Sequence, residues 1–358
     1  MRAAVTLDRC RVEVCDVPPP DPAPGEVLVR VGAVGLCGTD LHMWAGERAG
    51  VGFPLRQGHE IGAVVTELPA DGSATHLAVG DVVAVDPSVP CGSCRVCRRG
   101  EWPSCAAFTA YGVARPGGLT ELMAVPGDYL HRVPGVAPDV AALVEPVSVA
   151  AMALHRSGAR AGDRVVVLGA GPIGMGLVLC ARVHGVGVLV TDVLPGRLEL
   201  ARALGADVVV DVSTAAPAGA VQEWTGGAGA DAAIEASGSP RALDDAVGLV
   251  GRGGTVVVVG LGDGELRVPV PRLLFEGVRV TGSRAGLFPQ AVDVVSRLPA
   301  ETARMISHRF PLTDVAAAFA QAHDDPAGTA KVLVEVSPAG TLCRPAHPEP
   351  GPLEEGPS

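Results

Sequence analysis

From residue 164 onward, short apolar runs alternate with helix-like stretches, and this alternation constrains the fold more than any other feature. RVVVLG (164–169), GVLVTD (187–192), DVVVDV (207–212), DAAIEAS (231–237), TVVVVG (255–260) and VRVTGS (278–283) punctuate the region, with segments such as LVLCARVHG between them. Runs this short and this uniformly apolar suit strands covered on both faces, the habit of a parallel sheet. Parallel neighbours need crossover connections, so the β–α–β series predicts a doubly wound α/β sheet.

The first of these strands ends in Gly169-Ala-Gly171-Pro172-Ile173-Gly174. A bare GxGxxG is a weak signal, but here a strand precedes it, a helical stretch follows and an acidic residue ends the next strand. Glycines permit the tight turn and let a pyrophosphate approach the helix N-terminus. Asp192 is the acidic residue. A carboxylate there accepts hydrogen bonds from an adenosine ribose and repels a 2′-phosphate, which favours NAD(H) over NADP(H). Arg197 either stacks on the adenine or is an ordinary solvated helix residue.

The first 148 residues read mainly as β: VEV (12–14), EVLVRV (26–31), IGAVVTEL (61–68) and DVVAVDP (81–87), with the turn-forming PPPDPAPG (18–25) between the first two. After Arg284 come a helix-like FPQAVDVVSRL, then SHRFPLTDVAAAFAQA and a closing strand KVLVEV, expected to return to the first region. The Pro- and Gly-rich end from Ser337 lacks periodicity and is expected to be a loose tail. With 358 residues, 48% of them hydrophobic, the chain suits two domains with sizeable cores. Aromatics are only 3%, so Val, Leu and Ala must fill those cores.

A formal charge of −11 argues against a nucleic-acid partner, which needs a basic face. The charged start MRAAVTLDRCRVEV lacks the apolar core of a signal peptide, and every apolar run falls short of the ~20 residues of a membrane helix. A cytoplasmic location with no membrane partner is therefore expected. Lys331 is the only lysine, a bias read here as codon usage.

The nine cysteines are an odd number, and four crowd between 91 and 105. Cys91-x-x-Cys94-x-x-Cys97, with Cys105 shortly after, can enclose one tetrahedral zinc ion. Gly92, Gly100 and Pro103 allow the chain to wrap round it. Four sulfurs leave no open position, so this site is expected to be structural. A second set is dispersed: Cys37 in GLCGTDLH, His59 and Glu60 in GHE, and Glu145 in VEPVSVA. One thiolate, one imidazole and carboxylates can hold a catalytic zinc with a position left open.

The chain resembles the zinc-containing medium-chain alcohol dehydrogenases, particularly the sorbitol (polyol), threonine and sugar-acid branch. The resemblance spans residues 1 to about 336 and rests on GLCGTDLH (35–42), GHEIG (58–62), VGDVVAVDPSVPCGSCRVCRRGEWPSC (79–105), LVEPVSVA (143–150), VLGAGPIG (167–174) and SHRFPLTDVAAAF (307–319). It implies that Cys37 and His59 bind the catalytic zinc, with Glu60 and Glu145 completing or alternating in its shell. Glutamate at 145 implies the polyol/threonine branch. The resemblance also implies a proton relay from Thr39 towards His42, and an orienting role for Asp40 towards the zinc-binding imidazole.

The resulting expectation is a GroES-like β-rich catalytic domain (1–148, completed by 288–340), a Rossmann NAD-binding domain (149–287) and a flexible tail (341–358). Two Zn2+ per chain and NAD(H) would serve the interconversion of a secondary alcohol and a ketone on a polyol, sugar acid, cyclitol or hydroxy amino acid. The alternatives are a biosynthetic dehydrogenase of an amino-sugar or aminocyclitol intermediate, and a non-catalytic zinc- and dinucleotide-binding protein. Substrate choice is expected to reside in loops such as His42–Gln57 and Ser283–Leu287. A homodimer or homotetramer is expected, with TVVVVG a candidate interface strand.

Overall fold

Two sheets organise the molecule, and both follow from the strand patterns. The computed structural model describes residues 1–48 and 50–337; the expected tail at 341–358 lies outside them. The apolar runs after residue 164 form a six-stranded, wholly parallel sheet in the order 208–211, 187–192, 164–168, 230–235, 250–258, 279–282. This is the doubly wound architecture expected from the β–α–β series. The order reverses between Arg164–Leu168 and Ala230–Glu235, so a crevice opens where those two strands end. TVVVVG is not an edge: its strand, Val250–Val258, is paired on both sides, and the exposed edge is Arg279–Gly282. An interior strand has no free backbone groups to offer a partner, which corrects the expectation that TVVVVG forms an interface.

The second sheet has seven strands, ordered 306–311, 331–335, 26–36, 60–67, 82–85 and 130–132, with 122–126 also pairing to 26–36. All its pairings are antiparallel except that between Ile306–Pro311 and Lys331–Glu335. Its central strand, Glu26–Leu36, alternates between buried and partly buried residues up to Val31 and is wholly buried from there to Leu36. The change marks where both faces become covered. At Gly62, on the neighbouring strand, a side chain would run into the backbone carbonyl of Pro138, so glycine lets the Pro138–Ala141 helix cross close over the sheet.

KVLVEV pairs with that central strand, Val334 opposite Val34. The charged N-terminus also forms a strand, Arg2–Asp8, antiparallel to Arg11–Asp16. Its pattern escapes a sequence reading because its end residues Arg2 and Asp8 are exposed while Ala3, Ala4 and Thr6 are buried. This hairpin braces the approach to His59, because Thr6 and Leu55 exchange backbone hydrogen bonds of 2.8 and 2.9 Å.

One core of mostly Val, Leu and Ala runs from Val133 and Leu143 through helix Val144–Ser157 to Val165, Val167 and Leu177 in the parallel-sheet region. Helix Pro172–His184 approaches Val144–Ser157 closely at Gly176, whose missing Cβ would lie 2.9 Å from that of Ala150. Among the described residues no helix is long and apolar enough to cross a membrane.

Candidate active site and cysteine lobe

Cys91, Cys94, Cys97 and Cys105 converge within the loop built around two short turns, Arg95–Arg98 and Trp102–Ser104. Their sulfurs are separated by 3.4 Å (94–97), 3.9 Å (91–97) and 3.9 Å (94–105). A tetrahedron with ~2.3 Å zinc–sulfur bonds has edges of about 3.8 Å, so the spacing fits zinc and is far too long for a disulfide. Backbone N–H groups of Ser93 and Cys94 lower the Cys91 thiol to about 6, whereas desolvation and neighbouring thiols push Cys97 up to about 12. A first thiolate is thus accommodated by the loop itself, and further ones call for a cation.

The second constellation is assembled by three strands that meet at one end of the seven-stranded sheet. Cys37 follows the central strand, Glu60 opens Glu60–Glu67, and Lys331 opens Lys331–Glu335. Cys37, His59 and Glu60 bring ligand atoms within 4.8 Å of one another. Gly35 lies directly opposite Glu60, and any side chain there would collide with the Glu60 carboxylate. Asp40, 0% exposed, ties the pieces together. Its Oδ2 accepts the Cys37 N–H at 3.0 Å, its Oδ1 accepts the Gly58 N–H at 3.2 Å, and its carbonyl accepts Gln57 Nε2 at 2.8 Å. Gln57 in turn receives the Thr6 hydroxyl at 2.5 Å.

His59 turns Nδ1 towards Asp40 Oδ2 at 3.4 Å, a charge contact without hydrogen-bond geometry, which leaves Nε2 as the nitrogen available to a metal. Burial opposes protonation of this imidazole, but the charges of Asp40 and Cys37 overcome it and hold its pKa well above the ordinary value. The surroundings favour positive charge at this point, and a divalent cation taking these donors would displace the proton. The residues therefore fit a zinc ion.

Glu60 carries a constraint absent from the sequence reading. Lys331 Nζ donates to both of its carboxylate oxygens, at 2.6 and 2.7 Å, and to the Leu36 carbonyl at 3.1 Å. The two residues are 2% and 1% exposed. Burial works to lower the lysine's pKa, yet the Glu60 charge holds it above its usual value. The only lysine of the chain is thus a structural counter-ion at the site, which revises its reading as a compositional accident. Its singularity was a signal available in the sequence.

Glu145, in the first turn of helix Val144–Ser157, does not join the mutually close set; it lines the same cavity as His59. Desolvation raises its pKa to about 7, with Glu60 adding to the rise while His59 and Lys331 oppose it. The cavity measures about 290 Å³ and is also bordered by Thr39, Arg48, Ser88, Phe108 and Arg284. His42 stands apart on the helix Gly38–Trp44, with a 60% exposed side chain and Nδ1 2.6 Å from Glu47. Arg48 and Arg284 belong to no motif and were not singled out from the sequence.

At the crevice of the parallel sheet a second cavity, about 360 Å³, is lined by Gly169, Gly171, Asp192, Arg197, Ser237 and Arg241 among others. Gly169 adopts φ 106°, and at Gly174 a Cβ would strike the Gly169 carbonyl. Gly171 faces open space immediately before the helix Pro172–His184, and Pro172 and Ile173 form its first turn. This is a backbone cradle of the kind a pyrophosphate requires. Asp192 accepts N–H bonds from Ala170 (2.7 Å), Val193 (2.8 Å) and Leu194 (3.0 Å), which fixes its carboxylate at the cavity wall. Arg197 lines the cavity but directs Nη2 to the carbonyls of Pro326 (2.6 Å) and Thr329 (3.2 Å). Across the crevice, Glu235 Oε1 organises the opposite turn by accepting from Ser237 N, Ser237 Oγ and Gly238 N at 2.7, 2.5 and 2.9 Å.

Comparison with known proteins agrees with this geometry. Residues 23–135 match the alcohol dehydrogenase GroES-like domain, and residues 172–298 match the zinc-binding dehydrogenase domain. The chain is 34% identical over 304 residues to L-galactonate-5-dehydrogenase of Escherichia coli (strain K12), covering 84% of this chain and 88% of that one. It is 32% identical over 324 residues to sorbitol dehydrogenase of Bacillus subtilis (strain 168), covering 87% and 90%. Among solved structures, an alcohol dehydrogenase of E. coli CFT073 complexed with NADH superposes with TM-score 0.84 at 29% identity, covering 94% of this chain and 99% of that one. A zinc-binding dehydrogenase of Sinorhizobium meliloti 1021 bound to NADP gives 0.83 at 30%, with the same coverage. The chain belongs to the zinc-containing medium-chain alcohol dehydrogenase family, in its polyol and sugar-acid dehydrogenase branch, and is an oxidoreductase.

Proposed function

We propose that the protein is a zinc- and NAD(H)-dependent dehydrogenase interconverting a secondary alcohol and its ketone on a small polyhydroxylated substrate. The observation that carries this reading is the convergence of Cys37, His59 and Glu60 beside a cavity closed by Arg284 and Ala285, which follow the last strand of the glycine-cradled sheet. Zinc held by these residues would supply Lewis acidity towards a substrate hydroxyl, and a dinucleotide held at the Gly169–Gly174 cradle would supply the hydride acceptor.

The chain's own residues divide the remaining work. Cys37 and His59 are the metal donors, and Asp40 orients His59. Lys331 holds the Glu60 carboxylate, so Glu145 on the cavity wall is the freer carboxylate. Thr39 offers a hydroxyl inside the cavity, and His42 stands at the solvent side to receive the proton. The four cysteines form a closed structural zinc site. Solved relatives bind NADH in one case and NADP in another, so preference for NAD(H) rests on Asp192 at the cavity wall.

Assembly as a homodimer or homotetramer is part of the same reading. The open edge Arg279–Gly282 lies near Leu274 and Phe275, each 70% exposed, and a second copy covering such an edge would remove both liabilities. The test is NAD+ reduction, followed by NADH absorbance, across polyols, sugar acids, cyclitols and threonine, with zinc determined on the same sample. Turnover with two zinc ions per chain is the expected outcome; one zinc or none would remove the catalytic-metal assignment.

A further inference from the structure

Arg197 stands on helix Pro195–Leu204, just after the Asp192 strand of the parallel sheet, and lines the cofactor cavity with Gly171, Asp192 and Arg241. Its Nη2 nevertheless reaches a turn 129 to 132 positions further along the chain, where it donates to the carbonyls of Pro326 and Thr329. Among the described residues its Nε, which is buried, has no hydrogen-bond partner. The turn, 325–330, joins helix Val315–Asp324 to strand Lys331–Glu335 of the seven-stranded sheet. It is tied along its length. Asp325 Oδ1 accepts the Gly328 N–H at 2.8 Å, and Gln321 Nε2 donates to Asp325 Oδ2 at 3.1 Å and to Thr329 Oγ1 at 3.3 Å. Ser307 Oγ accepts the Ala330 N–H and donates to the Lys331 carbonyl, both at 3.0 Å. Two positions after Thr329 comes Lys331, whose buried Nζ holds both oxygens of Glu60. A continuous path thus runs from the cofactor cavity wall through Arg197, the turn and Lys331 to Glu60.

We propose that Arg197 is a positioning residue that couples the two sites. A nucleotide in the cofactor cavity steadies the Arg197 guanidinium, the guanidinium steadies the turn, and the turn steadies Lys331 against Glu60 beside the catalytic metal. This rests on the zinc and dinucleotide reading above and adds a link between its two halves. A guanidinium is planar and rigid, so an acceptor that engages one of its nitrogens also fixes the direction of the others. The two carbonyl bonds are made by a full positive charge, which makes them stronger than bonds between neutral groups. Hydrogen-bonded and packed elements of this kind can carry coupling between separated sites. Such coupling is reciprocal, so the metal at Cys37 must tighten nucleotide binding by the same factor, commonly about 5- to 150-fold.

The probe is adenosine monophosphate, which lacks the nicotinamide half of a dinucleotide and so can act on the catalytic metal only through the protein. The measurement is the rate at which zinc passes from the Cys37 site to a chelator, that phase being the one missing in Cys37→Ser. It is made with and without adenosine monophosphate, at concentrations that calorimetry shows to saturate each protein. The nucleotide should slow this phase about tenfold in the wild type and about twofold or less in Arg197→Met. Arg197→Lys, which keeps a charged donor but not the fork, should fall between them, and release from the cysteine lobe should not respond. Equal protection in wild type and Arg197→Met overturns the proposal, as does a saturated wild type that is not protected. If the wild type binds no nucleotide, or no zinc at Cys37, the dinucleotide or zinc reading fails by itself. In that case, or if Arg197→Met alone does not bind the nucleotide, hydrogen exchange without added ligand decides the link. Arg197→Met should then speed exchange at least fivefold in peptides covering 325–335 and 57–63, and a change confined to 195–204 overturns the proposal. Should Arg197→Met fail to fold, Arg197→Lys carries both comparisons.

Discussion

The cysteine lobe and the Cys37 site present soft and borderline donors to a metal in two opposite ways. In the lobe all four ligands come from one loop with little apolar support: Cys91 is exposed and only Cys105 is buried. At the Cys37 site the groups come from strands far apart in the chain, Glu60 and Lys331 being separated by 271 positions, and Asp40, Glu60 and Lys331 are buried within the sheet's core. The lobe is shaped by its sulfurs and would gain order from an ion joining them. The Cys37 site is shaped by packing and hydrogen bonds that exist regardless of the ion, and it already contains a cation, Lys331, where negative charge accumulates. A structural site can lean on its metal; a catalytic one must be formed before substrate and cofactor arrive.

The largest effect should separate the two regions most cleanly. Cys37→Ser is expected to lower kcat/KM about a thousandfold, roughly 4 kcal/mol of transition-state stabilisation, with thermal stability and NADH affinity near wild type. Turnover assays with fluorescence titration of NADH would show it, and normal turnover would remove Cys37 from the site. Cys97→Ser should do the reverse: loss of one zinc per chain by elemental analysis and a Tm lower by about 10 °C, since a closed zinc site contributes directly to folding. An unchanged Tm would mean the lobe holds its shape without metal and the contrast is false.

Lys331→Met sharpens the contrast from inside the preformed site. It leaves the Glu60 carboxylate buried without its cation, at an expected cost of about 3 kcal/mol or more. Adding Glu60→Gln should recover part of that loss, and strict additivity in thermal melts would show that the pair is not coupled. The smallest effect is expected at the cofactor cleft, where Asp192→Ala should move the NAD-to-NADP ratio of kcat/KM about tenfold towards NADP, by removing a charge that repels a 2′-phosphate. An unchanged ratio would assign Asp192 to the Ala170, Val193 and Leu194 N–H groups alone.

Much of the fold was legible because its signals are local. Six short, apolar-rich runs spell a parallel sheet, and GAGPIG at the end of the first marks the turn where glycine is needed at Gly169 and Gly174. The N-terminal strand was not legible, since Arg2 and Asp8 mask a short apolar core that is recognisable only against its partner Arg11–Asp16. The interface reading of TVVVVG failed for a related reason: an apolar strand reads the same at an edge and in the middle of a sheet. At the site, Cys37, His59 and Glu60 stood out as motifs, whereas Arg48, Arg284 and the role of Lys331 did not. Single residues on loops or strand ends carry no periodicity or spacing to read.

By itself the sequence determined which donors exist and which of them sit close enough along the chain to act together: four thiols in one loop, three glycines at one turn, a thiol and an imidazole in two short motifs. Only the tertiary structure decided which distant residues share a space. It brought Lys331 onto Glu60, turned Asp40 to both the Cys37 and Gly58 amides, and set Arg48 and Arg284 on one cavity wall. The physical reason is that these meetings are set by strand register and close packing across the sheet, where one residue's slip would turn a buried group outward, and no local pattern in the chain encodes them.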